Sequence, residues 1–476
     1  METTPKYHLI TFGCQMNKND SERIASLLRG IGFTATLETS DADLILLNTC
    51  SVRQSAEDRV FSYVHGFEKL KQEKPELILG VTGCMPGRDR DGILRKKLPI
   101  VDLYFPTADM GQLPRWIAEL RPELVNSADI VVDYMKITPD RQTMRQAFVS
   151  IQTGCNKFCT YCVVPFARGL EKNRPVKDIL TEIQELADHE CAEITLLGQT
   201  VNSYRAQDPE NFSSMNPYIK RSFAEAQDDG GGDHFAALLW EINQIPQIKR
   251  LHFTAPHPLH MSDEVIDAMA LPAHLNFIHL PVQAGDDEVL RRMNRRYTVA
   301  HYLDVFDRLK NRLPNLAIGT DIIVGFSGES EEAFEKTVEL YKNVRFDISY
   351  TARYSVRSGT AAFRAFKDDV SREEKKRRWQ VLQELMETIT HEKNQMFVGK
   401  TVSVLVERHE SPKITEEMLK MPAMIQTMMA VQPGMCYGNS REMKLVRFAG
   451  RPELIGQIVD VRVIRADTWV LEGVVK

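Results

Sequence analysis

Short apolar runs alternate with amphipathic stretches over the first 120 residues or so, which is the rhythm of βαβ units. The apolar runs predict four strands, at Tyr7–Phe12, Asp43–Asn48, Leu77–Thr82 and Val101–Phe105. The amphipathic stretches predict three helices, at about Ser21–Arg29, Val52–Lys71 and Gln112–Leu120. This order predicts an open parallel α/β sheet that is covered by helices on both faces.

Six more apolar runs follow a polar connection at residues 126–146. They predict strands at Phe148–Gln152, Ile194–Gly198, Arg250–Thr254, Phe277–Leu280, Ile318–Val324 and Ile348–Tyr354. Helical patterns separate these runs, among them Val176–Ala187 and Glu331–Asn343. Six β/α units predict an open, partial (β/α)6 barrel with its active site at the carboxyl ends of the strands.

The last part of the chain has a helical pattern at Lys375–Phe397 and then short alternating stretches, which predict a small β-barrel. The alternating stretches predict strands at Lys400–Val406, Lys444–Phe448, Ile458–Ile464 and Trp469–Val475. The protein is therefore expected to be an α/β multidomain chain, with domains at 1–125, 147–397 and 398–476 and a linker at 126–146. Insertions are expected at 205–234, as a surface loop, and at 409–436.

Composition fits this division, because 476 residues suggest about three domains and 43% apolar residues allow sizeable cores. The net charge of −5 argues against non-specific coating of nucleic acid, although it leaves room for a local basic face. The N-terminus lacks a basic segment followed by an apolar one, and no apolar run is long enough to span a bilayer. We therefore expect a cytoplasmic protein with no membrane partner.

Three cysteines lie close together in a CxxxCxxC pattern, Cys155, Cys159 and Cys162, with Tyr161 just before the last. Three thiolates are one short of the four that saturate an iron–sulfur cube, so one iron would stay open to a second molecule. The alternatives are a structural zinc site with a distant fourth ligand, or chance clustering. They are disfavoured because zinc sites usually pair CxxC units.

Three other cysteines, Cys14, Cys50 and Cys84, each follow one of the first three predicted strands. The carboxyl ends of parallel strands meet at one edge of a sheet, where ligands bind. The neighbouring Gly13 and Gly83 would let the backbone approach a bulky group. Small buried core cysteines are the alternative, but three equivalent positions favour a metal cluster. Cys191 and Cys436 fit neither trio and are expected to be ordinary thiols.

The run from Thr153 to Cys162 resembles the radical S-adenosylmethionine superfamily, whose signature is this spacing with an aromatic residue before the third cysteine. The resemblance implies that Cys155, Cys159 and Cys162 hold a [4Fe-4S] cluster whose open iron binds S-adenosylmethionine. It also implies reductive cleavage to methionine and a 5′-deoxyadenosyl radical, with the protein positioning the cofactor.

Three further runs narrow the resemblance to the methylthiotransferases, which carry an auxiliary four-iron cluster on an N-terminal cysteine trio. These runs are Thr11–Asn17, Asn48–Arg53 and Gly83–Met85. Their residues resemble those of the branch that modifies tRNA, the 2-methylthio-N6-dimethylallyladenosine synthases. The resemblance implies that Cys14, Cys50 and Cys84 hold the auxiliary [4Fe-4S] cluster. Pro86-Gly87 replaces the family's usual Ala-Gln, which leaves the ligands unchanged.

Strand-end loops of the middle domain also resemble this family, at residues 196–204, 279–283, 292–295 and 320–326. In the family such loops hold S-adenosylmethionine, which makes Gly198, Gln199 and Gln283 candidate contacts beside Tyr161. A turn glycine and ordinary loop amides are the alternative. Four histidines of this domain show no metal-ligand pattern, and hydrogen-bonding roles are expected for them: His252, His257, His260 and His279.

The C-terminal module resembles the TRAM domain, which ends this family and is thought to hold RNA. Its usual Gly-Arg-Thr-x-x-Asn run reads Gly438-Asn439-Ser440-Arg441-Glu442-Met443 here, which puts the RNA contact in doubt. Six basic residues of the module could form a face: Arg441, Lys444, Arg447, Arg451, Arg462 and Arg465. Four acidic residues lie among them in the sequence: Glu442, Glu453, Asp460 and Asp467.

Two more basic runs lie in the middle domain, at 291–297 and at 375–379. The first is expected beside the active face, where phosphate contact and a solvated loop are both open possibilities. The second is expected to be a solvated helix face balanced by Glu373 and Glu374.

The resemblance covers nearly the whole chain and implies a tRNA methylthiotransferase. The expected partners are the tRNA anticodon stem-loop, a small reductant protein such as flavodoxin or ferredoxin, and a sulfur donor. One alternative is a sibling enzyme acting on threonylcarbamoyl-adenosine or on a ribosomal protein. Another is an iron–sulfur carrier or electron-transfer protein, which should saturate its clusters with four thiolates.

Overall fold

The computed structural model describes residues 4–51, 54–125, 132–141, 145–219, 232–411 and 434–476. Parts of the expected linker and of both expected insertions therefore lie outside the described residues. Among the helices that are described, none has the length and apolar character needed to cross a membrane.

The first domain is a five-stranded parallel sheet in the order β2-β1-β3-β4-β5, as the alternating pattern predicts. Its strands are β1 Lys6–Thr11, β2 Thr34–Ala35, β3 Leu44–Thr49, β4 Ile78–Gly83 and β5 Leu103–Pro106. Its helices are α1 Gln15–Gly30, α2 Gln54–Gly66, α3 Glu68–Glu73, α4 Cys84–Arg88 and α5 Leu113–Leu120. Two separate apolar cores lie on the sheet's two faces, which confirms the two-sided arrangement.

Two features of this domain differ from the sequence prediction. Helix α1 begins at Gln15, six residues before the predicted start, because polar residues such as Asn17, Asn19 and Asp20 are buried in its first turns. An apolar periodicity does not detect such a start. The single helix predicted at 52–71 is two helices, α2 and α3, with Phe67 between them.

The middle domain has the six predicted β/α units, arranged as two three-stranded parallel sheets in the orders β10-β9-β6 and β11-β12-β13. Its strands are β6 Gln146–Ser150, β7 Gln152–Thr153, β8 Lys172–Asn173, β9 Glu193–Leu197, β10 Arg250–Phe253, β11 Phe277–His279, β12 Ala317–Val324 and β13 Ile348–Arg353. Its helices are α6 Val164–Arg168, α7 Val176–Asp188, α8 His234–Asn243, α9 Asp263–Met269, α10 Asp287–Arg292, α11 Val299–Arg312, α12 Glu331–Val344, α13 Ala361–Ala365 and α14 Arg372–Gln395.

The two halves of this partial barrel meet at a single parallel bridge between Leu251 and His274. The Leu251 N–H donates to Ala273 O over 2.8 Å, and the Leu275 N–H donates to Leu251 O over 2.9 Å. One continuous apolar core nevertheless joins both halves, so the domain packs as one unit.

The C-terminal module is a closed barrel in the order β14-β15-β16-β18-β17, which confirms the small β-barrel. Its strands are β14 Thr401–Glu410, β15 Gly434–Ser440, β16 Leu445–Gly450, β17 Ile458–Ala466 and β18 Leu471–Val475. Strand β15 is absent from the sequence prediction because Gly434, Gly438 and polar residues hide its alternation. The glycines are required there, since a side chain at Gly438 would overlap the backbone of Leu405.

Candidate active site

The three N-terminal cysteines converge at one edge of the first sheet, as the strand-end argument predicts. Thr11 is paired with Asn48, and Thr49 with Gly83, so the residues that follow these strands lie side by side. Cys14 is exposed at the start of α1, whereas Cys50 and Cys84 are each only 4% exposed. Gly13 and Gly83 adopt positive φ, and side chains there would overlap Cys50 and Thr49 respectively. None of these three cysteines forms a disulfide.

A buried amide network fastens the three cysteine loops to one another. Asn17 Nδ2 donates to Asn48 Oδ1 over 3.2 Å and to Thr49 O over 3.1 Å, while Asn48 Nδ2 donates to Asn17 O over 2.8 Å. The Thr49 hydroxyl donates to Thr82 O over 2.6 Å and accepts from Met85 N over 3.3 Å. These residues fix the positions of the thiols, although sequence reasoning noted them only as parts of motifs.

The second trio lies in the loop between β7 and α6, and each sulfur has a polar neighbour at 3.4 Å. These neighbours are Thr200 Oγ1 and Lys157 N for Cys155, Arg295 Nη1 for Cys159 and Val164 N for Cys162. Burial and the neighbouring thiol of Cys159 raise the pKa of Cys162 to about 12. Burial also raises the pKa of Cys155. A bound cation would lower these raised pKa values and deprotonate both thiols.

The segment after α10 holds this cysteine loop in place. Thr160 donates from its N–H to Met293 O over 3.0 Å and from its hydroxyl to Arg292 O over 2.8 Å. Asn294 Nδ2 donates to Phe158 O over 3.0 Å. Phe158 and Asn294 both adopt positive φ, a strained conformation for such residues that tends to occur at functional sites.

The four residues expected to contact S-adenosylmethionine differ in exposure and in surroundings. Gln283 is 8% exposed with φ of 71°, and its backbone extends the sheet by bonding Asp321 and Ile323. Gly198 directly follows β9, and a side chain at this position would crowd Gln152. Gln199 is half-buried. Tyr161 packs its ring edge-on against Phe326, with the centroids 6.4 Å apart.

Both cysteine trios border the interface between the first two domains. Helix α6, which follows Cys162, packs against α4, which begins at Cys84, so closely that a side chain at Gly87 would overlap Ala167. A cavity of about 570 Å³ opens at the same interface between α2 and the segment around Arg357 and Ser358. The two cysteine trios therefore lie beside the same domain interface.

Three of the four histidines have the polar partners expected for them, including His257, whose ring accepts from Leu259 N. The expectation is wrong for His252, whose Nδ1 is buried and has no hydrogen-bond partner among the described residues. Burial lowers the pKa of His252 to about 3 and that of His257 to about 2. His260 Nε2 lies 2.6 Å from Lys157 Nζ, and His279 Nε2 lies 3.1 Å from Asp321 Oδ1. Across the part of the chain that the structure describes, no three His, Cys, Asp or Glu side chains are close enough to hold one metal ion. A four-iron cluster sets a different requirement, because each of its cysteines binds a separate iron.

Both basic runs of the middle domain bury part of their charge, while Arg296 of the first and Lys376 of the second are exposed. Arg295 is 6% exposed and directed at Cys159, and Arg292 stacks over the Phe366 ring at 4.4 Å. In the second run Lys375 is buried against Asp368, and Arg378 is buried against Glu329 and Glu374. The expected balancing by Glu374 is confirmed, but the expected solvated face is wrong for Lys375 and Arg378, because both bury their charges in ion pairs.

Two family models match the chain, one to each domain that carries a cysteine trio. The Radical SAM superfamily matches residues 149–341, and Uncharacterized protein family UPF0004 matches residues 6–106.

Relatives match along nearly the whole chain. The tRNA-2-methylthio-N(6)-dimethylallyladenosine synthase of Thermoanaerobacter sp. (strain X514) is 38% identical over 98% of this chain and 92% of its own. The protein of the same name from Clostridium botulinum (strain Langeland / NCTC 10281 / Type F) is 37% identical over 99% of this chain and 97% of its own.

Among solved structures, the radical S-adenosylmethionine methyltransferase TsrM from Kitasatospora setae, with tryptophan substrate and a SAM analog bound, has a TM-score of 0.52. It is 11% identical and covers 86% of this chain and 80% of its own. The same protein with cobalamin and a [4Fe-4S] cluster bound has a TM-score of 0.51 at 12% identity, over 76% of this chain and 77% of its own. At such identities the likeness shows a shared fold.

Proposed function

The chain belongs to the family of tRNA-2-methylthio-N(6)-dimethylallyladenosine synthases, and we propose that it adds a methylthio group to C2 of N6-dimethylallyladenosine, also called N6-isopentenyladenosine, next to the anticodon in tRNA. As a radical S-adenosylmethionine methylthiotransferase it uses S-adenosylmethionine and iron–sulfur chemistry. The observation that carries the proposal is the convergence of two cysteine trios on one domain interface.

Each trio fits a [4Fe-4S] cluster with one iron left open. Cys155, Cys159 and Cys162 would hold the cluster that binds S-adenosylmethionine, and Cys14, Cys50 and Cys84 would hold the auxiliary cluster. Support comes from the three cysteines at each site, which form no disulfides, and from the positive-φ glycines beside Cys14 and Cys84. When bound, these groups supply the electron that cleaves S-adenosylmethionine to a 5′-deoxyadenosyl radical, and the sulfur that is methylated and inserted.

The chain's own residues position these thiols and bury Cys50, Cys84 and Cys155 among them. Thr200, Arg295 and the backbone amides of Lys157 and Val164 present polar hydrogens to the second trio. Hydrogen bonds to sulfur favour the thiolate and modulate a cluster's potential. We propose Tyr161, Gly198, Gln199 and Gln283 as the surroundings of S-adenosylmethionine, in the roles that the family resemblance implies.

The domain division proposed here follows the sequence expectation: 1–125 for the auxiliary site, 147–397 for the radical domain and 398–476 for the TRAM-like barrel, with a linker at 126–146. A small reductant protein such as flavodoxin or ferredoxin and a sulfur donor are the proposed partners besides tRNA. The cytoplasm is the proposed location, because tRNA is the substrate.

The proposal is tested by nucleoside analysis of tRNA from a strain that lacks its own methylthiotransferase and expresses this chain. We expect 2-methylthio-N6-dimethylallyladenosine to appear and threonylcarbamoyl-adenosine to stay unchanged. Methylthiolation of threonylcarbamoyl-adenosine, or of a ribosomal protein, would identify a sibling enzyme instead. Cys159→Ala, expressed to the same level, is the matched negative control.

A further inference from the structure

Three large apolar side chains are exposed around the loop that carries the second cysteine trio. Phe158 lies within this loop and is 44% exposed, whereas Leu170 and Leu259 come from other segments and are 62% and 39% exposed. We refer to these three residues as the loop patch. Exposed apolar side chains that lie together mark interaction surfaces, whereas scattered ones are ordinary.

Two contacts bring the leucines of the loop patch to the cysteine loop. The Leu170 carbonyl is so close to Gly154 that a side chain on the glycine would overlap it. Lys157 Nζ lies 2.6 Å from Nε2 of His260, which directly follows Leu259. Both leucines therefore border the loop that contains the aromatic residue of the patch, so the three side chains belong to one surface.

The backbone holds Phe158 in its exposed position. Its φ of 51° is in the left-handed region, which a bulky aromatic residue rarely adopts. Asn294 Nδ2 donates to Phe158 O over 3.0 Å and to Lys157 O over 3.3 Å, which restrains the two peptide groups. Strained backbone of this kind persists where the surrounding structure enforces it, and it clusters at functional sites.

Basic side chains lie at the edge of the loop patch. Lys172 is exposed and pairs with Thr153, just before the cysteine loop. Arg296 is exposed, and its Nε lies 3.5 Å from Oδ1 of Asn294, the residue that restrains the loop. The neighbouring carboxylate of Glu171 is half-buried and accepts from a serine hydroxyl over 2.9 Å. The surface is therefore apolar at its centre and positively charged at its rim, which complements an acidic protein.

We propose that the loop patch is the docking surface for flavodoxin, a small acidic electron carrier that supplies the radical domain. Cys155 and Cys159 flank Lys157 and Phe158 in the sequence, so a protein seated on the patch is beside the site that needs the electron. One electron leaves the carrier's reduced flavin, which is thereby oxidised by one electron. That electron breaks the C5′–S bond of S-adenosylmethionine into methionine and the 5′-deoxyadenosyl radical. The inference rests on the proposed function, because that reaction consumes the electron.

The tRNA substrate is the other macromolecule that could cover a basic surface. RNA is bound through cations that contact its phosphates and aromatic rings that stack on its bases. Two of the three side chains of the loop patch are leucines, which provide neither contact. Electron-transfer complexes are small and transient, so a few apolar side chains with a charged rim are enough for one. The composition of the patch therefore favours the electron carrier.

The test compares two reductants on full-length protein that has been reconstituted anaerobically. One is flavodoxin kept reduced by its reductase and NADPH, and the other is dithionite, which is too small to need a docking surface. Leu170→Glu with Leu259→Glu places two negative charges in the patch. We expect 5′-deoxyadenosine formation to fall about tenfold or more with flavodoxin and to stay within about twofold of the parent with dithionite.

Two further double variants separate charge from contact and from general effects on the fold. Leu170→Lys with Leu259→Lys removes the same apolar contact but attracts an acidic partner, so its flavodoxin-dependent rate should fall less. The control is Leu37→Glu with Leu120→Glu, at leucines of the first domain that are 90% and 46% exposed. Both of its rates should equal those of the parent.

Three results would contradict the docking role. Equal flavodoxin-dependent rates in the Leu170→Glu/Leu259→Glu variant and the parent would overturn it. Weaker tRNA binding in that variant, with unchanged flavodoxin-dependent rates, would identify an RNA surface instead. If the variant loses activity with both reductants, Lys172→Glu decides: its rate should fall with flavodoxin alone, and an unchanged rate overturns the proposal. A parent protein that forms no 5′-deoxyadenosine even with dithionite would refute the proposed function itself, and this inference with it.

Discussion

At the scale of single residues, the two trios should have separable roles, because the loops that hold them belong to different domains. Cys159→Ala should abolish 5′-deoxyadenosine formation altogether. Cys50→Ala should leave that cleavage measurable while stopping methylthio insertion into tRNA. Chromatography of anaerobic reactions measures 5′-deoxyadenosine and methylthiolated tRNA. The iron content should fall from about eight to about four per chain in each variant. Methylthiolated tRNA from the Cys50 variant would refute the auxiliary assignment.

Buried histidines make the fold sensitive to acid. Burial depresses the pKa of His252 from 6.5 to about 3, so between these values the unfolded chain binds a proton that the folded chain does not. The stability is complete above about pH 6.5 and is lost as pH falls toward 3, by about 1.4 kcal/mol per pH unit.

Urea unfolding at pH 7 and pH 5 measures this loss. His252→Leu should make stability less dependent on pH over this range, whereas His65→Ala, at a side chain that is 81% exposed, should leave the dependence unchanged. An equal pH dependence in the His252 variant and the parent would contradict the account.

The candidate site was predictable at its thiols and less so around them. The spacing of the cysteines and their positions at strand ends identify six candidate ligands, because an iron–sulfur cluster requires cysteine at each ligand position. Asn17 and Arg295 contact those thiols. Their roles depend on how α1 and the segment after α10 pack, and an arginine in a basic run gives no sign that it is buried.

At the scale of elements, strands and helices with strong periodicity are where the sequence predicts them, within a few residues. The failures have physical causes: α1 starts with buried polar side chains, and β15 is rich in glycine. In β15 the glycines permit close strand approach rather than marking a turn. Sequence patterns detect the burial of apolar side chains, whereas α1 buries polar side chains and β15 buries glycines.

The insertion before β15 should be dispensable for the barrel. Glu410 of β14 pairs with Met435 of β15, so the chain ends on either side of residues 412–433 already lie opposite each other. Replacing 412–433 by a short Gly-containing turn should change the free energy of unfolding by less than about 1 kcal/mol. Gly438→Val, which leaves the insertion intact, should cost about 1–3 kcal/mol by overpacking. Thermal unfolding followed by circular dichroism compares them, and a collapse of the barrel in the shortened chain would contradict the pairing.

At the scale of the whole molecule, the altered TRAM-like run serves docking. Arg441 donates to Pro272 O over 2.7 Å, and Arg250 Nη2 donates to Asn439 O and Ser440 O over 3.1 Å each. Lys444 is buried, with Nζ 3.4 Å from Asp347 Oδ1. Two members of the expected basic face are thus committed to the radical domain.

Fewer basic side chains of the barrel therefore remain to contact RNA. Arg447 and Arg465 pair with Glu472 and Asp467, whereas Arg451 and Arg462 are exposed. Changing both exposed arginines to glutamate should weaken tRNA binding and reduce the slope of log affinity against log salt by about one per residue. Lys69→Glu, at an 85% exposed lysine of the first domain, is the control. Filter binding across a salt series measures it, and unchanged slopes would mean that the barrel only caps the radical domain.

The most direct measurement follows a single hydrogen atom. Full-length protein, reconstituted anaerobically, is given S-adenosylmethionine, a reductant, a sulfur source and tRNA carrying deuterium at C2 of N6-dimethylallyladenosine. In the proposed reaction the 5′-deoxyadenosyl radical takes the hydrogen atom from C2, so the account predicts that deuterium appears in 5′-deoxyadenosine. The same C2 should carry a methylthio group, and mass spectrometry reads both. Turnover that leaves the deuterium on tRNA, with undeuterated 5′-deoxyadenosine as the only product, would contradict the proposed reaction.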